Sequence, residues 1–269
     1  MKIAMWSGPR NLSTAMMYAF GNRADTRVVD EPFYGAYLHH SNADHPMRAE
    51  IMASMACDPV QVSAELSGPV PGGAAIWYQK HMTHHMLDHF PMDLLAQLRN
   101  VFLIRDPARV IASYARKRAD VTLYDLGFVQ QKKIFDHCVA LGQVPIVIDS
   151  DDILADPKSA LMELCLRLEI AFDPAMLHWP AGPRAQDGIW AAHWYDAVHR
   201  STGFGPAPGP APRVDADYDA LWHQAQAIYE QLQAAKKPPA PADQRIRFLR
   251  AAKSLRRRAL SWIKPAASF

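Results

Sequence analysis

Residues 7–14 read Ser-Gly-Pro-Arg-Asn-Leu-Ser-Thr (SGPRNLST), and the setting of this stretch decides the fold. It follows the apolar run Ile3 to Trp6 and leads into a helical pattern, which predicts a strand, an anion-binding loop and a helix start. Unpaired N–H groups in a first helical turn, with the positive end of the helix dipole, favour an anion at that point. Arg10 adds a full charge and a planar fork of donors. The Lys-Ser/Thr pair of a Walker A loop is missing and Leu12 sits inside the loop, so ATP is not the necessary anion.

Beyond the loop, short apolar runs alternate with helical patterns, as in a parallel sheet covered by helices. Strands are predicted at Lys2 to Trp6, Arg27 to Val29, Ala75 to Gln79, Asn100 to Ile104 and Val144 to Ile148. Ligands of open parallel sheets bind beyond the carboxyl ends of the strands. The groups just after these runs are therefore expected to converge: Arg10, Asp30, Glu31, Lys80, His81, Arg105 and Asp149.

At 269 residues and 49% hydrophobic composition, the chain can bury one large core, alone or with a small appendage. No apolar run has the length of a signal peptide core or a membrane span, which sets the expectation of a cytoplasmic protein. Cys57, Cys138 and Cys165 have no C-x-x-C spacing, so reduced, mostly buried thiols are expected rather than a disulfide framework or zinc site.

The net charge of +2 is unevenly placed. From Asp243 onward there are eight basic residues and one acid, a charge of +7, which leaves −5 on residues 1–242. Proline-rich stretches, GPAPGPAPR (205–213) and KKPPAPA (236–242), precede this tail. Three units are expected: an α/β domain over 1–204, a connection with a helix over 205–242, and a basic amphipathic helix over 243–269. In the last, Phe248, Ala252, Leu255, Ala259 and Trp262 form an apolar stripe. Packing against the main domain or a second copy in a homo-oligomer is the favoured role, with an anionic membrane surface next; no nucleic-acid function is assigned.

The stretch RDPARVIASY (105–114) places Arg105 at a strand end, Asp106 at an N-cap and Pro107 at the first helical position, with the helix predicted to reach about Arg118. Arg105 and Ser113 can grip one anion only if the strand end folds back beside the helix. The competing reading pairs Arg105 with Asp106 or Asp149.

Together these motifs resemble the sulfotransferases that use 3′-phosphoadenosine-5′-phosphosulfate (PAPS). In that family a P-K-S-G-T-T loop after the first strand holds the phosphosulfate. An R-x-P, followed by Ser eight residues after the Arg, holds the 3′-phosphate. Pro9-Arg10-Asn11-Leu12-Ser13-Thr14 resembles the first motif, and Arg105 with Ser113 matches the second. Residues 144–177 resemble the family's strand, acidic turn and helix. The resemblance implies a three-layer α/β sandwich with a mostly parallel, P-loop-like sheet and C-terminal helices. It also implies PAPS as co-substrate, no metal, and a small-molecule acceptor bearing a hydroxyl or amine. Gly8 to Thr14, Arg105 and Ser113 are the implied donor-binding residues.

The departures define tests. Arg10 replaces a common Lys. Leu12 replaces the loop Gly, which fits only if that position keeps φ below zero. Ala15 stands where many members have an adenine-stacking Trp. The late R-K-G-x-x-G motif is matched only by GPRAQDGIW (182–190), making Arg184 the implied phosphate ligand and Trp190 an aromatic wall, with a plain surface loop as the alternative.

For catalysis, the resemblance implies that Arg10, Lys80 and the loop amides stabilise the departing phosphate. Two residues qualify as the base that takes the acceptor proton. Glu31 ends the second strand, as in some bacterial and glycan sulfotransferases, and is favoured; His81 follows Lys80 in a stretch similar to a K-x-H segment, although strict alignment puts Met82 there. If Met82 to Phe90 is helical, His81, His85 and His89 share a face, but without the Glu of H-E-x-x-H a metal site is disfavoured. Trp190, His193, Trp194, Tyr195, His199 and Phe204 suit either a lid over an organic acceptor or a core helix. The rival functions are a P-loop small-molecule kinase using ATP and Mg²⁺ and a non-catalytic adenine-nucleotide binder.

Overall fold

The computed structural model describes residues 1–41, 43, 45–116 and 121–236. The basic amphipathic segment expected over 243–269 lies outside them. Five strands form one sheet: β1 (Lys2–Ser7), β2 (Thr26–Asp30), β3 (Ile76–Met82), β4 (Arg99–Ile104) and β5 (Ile146–Asp149). Their order is β2-β3-β1-β4-β5 and every pairing is parallel, with β1 between β3 (Met5 beside Lys80) and β4 (Met5 beside Val101). β1 is apolar on both faces because it is buried on both, which parallel sheets require.

The helices are α1 (Ser13–Gly21), α2 (Tyr34–Ser41), α3 (Arg48–Ser54), α4 (Pro59–Ser67), α5 (Pro107–Tyr114), α6 (Phe128–Ala140), α7 (Ser150–Ala155), α8 (Pro157–Arg167), α9 (Ala191–Trp194), α10 (Asp196–His199) and α11 (Asp219–Ala234). They make two cores, one on each face of the sheet. On one face Ile3, Met5, Tyr78 and Leu103 pack with α1 and α8; on the other Ala4, Trp6, Trp77 and Phe102 pack with α4, α5, α6 and α11. This is the three-layer α/β sandwich expected. Helix α11 places Ala225, Tyr229 and Leu232 in the second core, and Tyr229 donates a hydrogen bond to Asp149 at 2.6 Å.

Two local expectations fail. Helix α5 starts as expected, with Asp106 accepting from the Arg109 amide, but ends at Tyr114 rather than near Arg118. The histidine stretch is not a helix: β3 runs through Met82 and a 3₁₀ turn covers Thr83–His85. Residues 81, 85 and 89 therefore share no helix face, and among the described residues no three His, Cys, Asp or Glu side chains gather as a metal-binding group.

Candidate active site

The carboxyl ends of β1, β3 and β4, with the loop before α1, open into a cavity of about 470 Å³. The loop is held tightly. A Cβ on Gly8 would lie 2.4 Å from the Leu126 carbonyl oxygen, so only glycine lets these two backbones meet. Ser150 Oγ donates to the Asn11 carbonyl at 2.9 Å, and Arg105 Nη1 donates to the Arg10 carbonyl at 2.6 Å. Arg10 and Leu12 both adopt left-handed backbone, with φ of +62° and +68°. The condition set for Leu12 is thus not met: the position needs positive φ and a β-carbon residue supplies it, at a cost of roughly 1–2 kcal/mol. The surrounding bonds and the packing of Leu12 on the core hold the strained turn. No side chain caps α1, whose first amides therefore lack a capping oxygen, and Leu12 to Ala15 line the cavity.

Arg10 and Arg105 converge on this loop. Arg10 Nε donates to Ser113 Oγ at 2.8 Å, which brings the loop after β1 against α5, and both arginines and Ser113 line the cavity. Among the described residues Arg105 forms no salt bridge with Asp106 or Asp149. Its Nε is buried without a hydrogen-bond partner. Burial, then Arg116, lowers the Arg10 pKa; burial first lowers that of Arg105, with Asp151 and Asp149 opposing it and Arg109 and Arg10 adding to it. Two desolvated, mutually repelling cations with an unused donor form a site that an anion would stabilise.

A buried ionic cluster lines the same cavity. Lys80 Nζ donates to Asp30 Oδ1 at 2.8 Å, Glu31 Oε1 at 2.5 Å and Tyr195 Oη at 2.8 Å. Tyr195 in turn donates to Asp30 Oδ2 at 2.7 Å. Burial raises the Glu31 pKa against the opposing pull of Lys80; the two carboxylates raise that of Lys80 despite its burial. Glu31 Oε2 takes none of these bonds and faces His85 Nδ1 at 3.9 Å. His85 is sandwiched between the rings of Tyr34 and Tyr37, at 4.3 and 4.9 Å, and burial holds its pKa well below the usual imidazole value.

Several expected residues do not fit their assigned places. Lys80 lines the cavity, but its three protons are already directed at Asp30, Glu31 and Tyr195, so it holds the carboxylates rather than a phosphate. His81 points to the opposite face of the sheet, because side chains alternate along β3. It stacks on Trp6 at 4.2 Å, does not line the cavity, and burial pushes its pKa down to about 3. Asp149 is also absent from the cavity wall, caps α7 and pairs with Tyr229. Arg184 lies over the Tyr18 ring at 4.8 Å and Trp190 is buried behind Tyr195; neither lines the cavity. The aromatic stretch forms two short helices, α9 and α10, not one, and Trp194, Tyr195 and Val198 close one side of the cavity. His85 and Tyr195 are the participants that the sequence reading placed in other roles.

Fold and site together define an α/β protein that gathers a loop, cations and a held carboxylate around one cavity at the carboxyl edge of a parallel sheet. The chain belongs to the sulfotransferase domain family, whose model matches residues 1–236. It is similar to two Arabidopsis thaliana proteins, branched-chain-amino-acid aminotransferase-like protein 2 (35% identity over 87% of the chain) and protein 1 (38% over 81%). The chain spans only 42% and 39% of the length of these relatives. Among solved structures, the sulfotransferase domain from the curacin biosynthetic pathway overlies 94% of this chain and 96% of its own, with a TM-score of 0.46 at 15% identity. The sulfotransferase domain from the Synechococcus PCC 7002 olefin synthase overlies 95% and 94%, with a TM-score of 0.45 at 16% identity.

Proposed function

We propose that the protein transfers a sulfuryl group from PAPS to a hydroxyl or amine of an organic acceptor. The observation that supports this reading is the presence, in the lining of one cavity, of the Arg10–Arg105–Ser113 corner and the Glu31 carboxylate. The residues fit the co-substrate: the buried, partnerless Nε of Arg105 and the uncapped amides of α1 are donors that match phosphate oxygens. Arg105 and Ser113 would hold one phosphate, and Arg10 with the loop amides of Ser13 and Thr14 the other. The co-substrate supplies the sulfuryl group and a phosphate leaving group.

Glu31 takes the acceptor's proton at Oε2 as the new bond to sulfur forms. The electron pair of the broken sulfur–oxygen bond leaves with adenosine 3′,5′-bisphosphate. Fixed positive charge from Arg10 offsets the negative charge that grows on that phosphate. Lys80 and Tyr195 keep Glu31 ionised and aimed, while burial keeps it a stronger base than an exposed carboxylate. No step calls for a metal.

Differential scanning of the full chain tests the reading. Adenosine 3′,5′-bisphosphate at 100 times its Kd, with EDTA present, should stabilise the fold by about 2.7 kcal/mol. A response to ATP with Mg²⁺ and none to the bisphosphate would support the kinase reading instead.

A further inference from the structure

A second cavity, of about 350 Å³, is bounded by α1, β5, α7, α8 and Lys236 and shares no residue with the candidate active site. We propose that it is a groove that docks the chain's own basic segment, residues 243–269, to which residues 237–242 lead from Lys236.

The floor of the groove is apolar: Met16 of α1, Val147 of β5, Ile153 of α7, and Leu161 and Leu164 of α8. Val147, Ile148 and Asp149 follow one another in β5 and all line it. Side chains alternate along a strand, so a groove that touches all three lies at the strand's edge rather than over one face of the sheet. β5 is the last strand in the order, with no strand beyond it among the described residues. Proteins cover or charge such edges, because an open one pairs with other chains.

The rim is acidic. Residues 149–163 hold Asp149, Asp151, Asp152, Asp156 and Glu163 against Lys158 alone, and Asp152, Asp156 and Glu163 line the groove. Residues 1–242 carry −5 and the chain from Asp243 onward carries +7. On a helix, Phe248, Leu255 and Trp262 would present one apolar stripe to the floor, with Arg245 and Arg256 flanking it towards the rim.

The tether favours this occupant over a second copy. Lys236 lines the groove, and its Nζ donates to Asp152 Oδ2 at 2.6 Å, so the segment sets out from the rim itself. Residues 237–242, Lys-Pro-Pro-Ala-Pro-Ala, can span about 19 Å as a proline-rich spacer, and α8 is about 16 Å long, so the residues that follow can lie along the whole helix. A short tether gives an effective concentration on the order of millimolar, above that of a second chain in dilute solution. The family model stops at Lys236, so the family's pattern does not include this contact.

Zero-length carbodiimide coupling of the whole chain tests the proposal. Isotope-labelled and unlabelled protein are mixed in equal amounts, coupled and digested, and the linked peptides are read by mass spectrometry. Lys236 should link to Asp152 in every sample, which shows that the body is folded. Lys253 or Lys264 should link to Asp152, Asp156 or Glu163 within one chain. Leu255→Asp, on the stripe, should lower the yield of those links about tenfold. Ser254→Asp makes the same change of charge off the stripe and should alter the yield by at most about twofold. Equal losses from the two variants overturn the proposal. So do links from Lys253 and Lys264 mainly to other carboxylates, or only between labelled and unlabelled chains, which would assign the segment to a second copy. Absence of these links while Lys236 still couples to Asp152 also overturns it, and sedimentation with phosphatidylserine vesicles would then assign the segment to a membrane surface.

Discussion

Lys80→Met removes the one cation between two buried carboxylates, and its consequences can be worked from the structure. Lys80 is 1% exposed and makes hydrogen bonds of 2.8, 2.5 and 2.8 Å to Asp30, Glu31 and Tyr195. Asp30 and Glu31 are 5% and 8% exposed, so without the ammonium they are left as two desolvated negative charges. Breaking a buried pair by removing one partner costs about 3–5 kcal/mol, and methionine keeps most of the lysine volume, so the loss at neutral pH is set by charge rather than by a cavity. Burial already raises the Glu31 pKa and Lys80 is the chief force opposing it, so the folded variant takes up a proton that the unfolded chain does not. A folded-state pKa raised above the unfolded value near 4.3 gives stability that is full below that pH and is lost as pH rises towards the folded value. The deficit against the natural sequence should therefore shrink on acidification, by up to about 1.4 kcal/mol per pH unit for each proton bound. Urea unfolding of both proteins at pH 7.5, 6.5 and 5.5 measures it. A deficit below about 1 kcal/mol, or one that stays constant across the three pH values, would refute the reasoning that Lys80 is held by, and holds, the two carboxylates.

The remaining expectations concern turnover and binding. Glu31→Gln removes the proton acceptor and should lower kcat by about 10²- to 10⁴-fold with the bisphosphate Kd unchanged; an unaltered kcat would take Glu31 out of the proton path. Arg105→Ala should weaken binding of adenosine 3′,5′-bisphosphate by roughly ten- to a hundredfold in titration calorimetry, since charged hydrogen bonds are worth about 1.5–3 kcal/mol; equal affinity would remove Arg105 from the donor site. Tyr195→Phe deletes a hydroxyl that bonds Asp30 and reaches Glu31 at 3.4 Å, lowering the Glu31 pKa. Without it the carboxylate holds its proton to higher pH, so the acid limb of the kcat profile should move up by about half to one unit; an unmoved limb would show that Tyr195 does not tune the base.

The sheet was legible because each strand is a short apolar run ended by polar or charged residues, a signal that burial on both faces makes strong. Asp106 and Pro107 likewise announced α5, since N-cap and first-turn preferences act locally. The alternation along β3 already decides where His81 lies. Once β3 is taken as a strand, Tyr78, Lys80 and Met82 share one face and Trp77 and His81 the other, so Lys80 and His81 cannot enter the same site. With β3 running through Met82 and a 3₁₀ turn after it, the condition of a helix over Met82 to Phe90 is not met. Other features had no sequence signal. The positive φ at Leu12 arises from bonds that pin the loop to β4 and α7, and nothing in a Leu announces it. Tyr195 meets Asp30 across 165 residues of chain, a contact that only the tertiary fold creates. Arg184 was placed by analogy with a motif present here only in fragments, and the ring of Tyr18 holds it instead.

Sulfuryl transfer itself is the most direct measurement. The 269-residue chain, PAPS and an alcohol acceptor, incubated with EDTA, should yield adenosine 3′,5′-bisphosphate and sulfated alcohol in equal amounts, and Glu31→Gln should abolish both. If no bisphosphate forms under these conditions while ATP with Mg²⁺ is consumed, the central claim is contradicted.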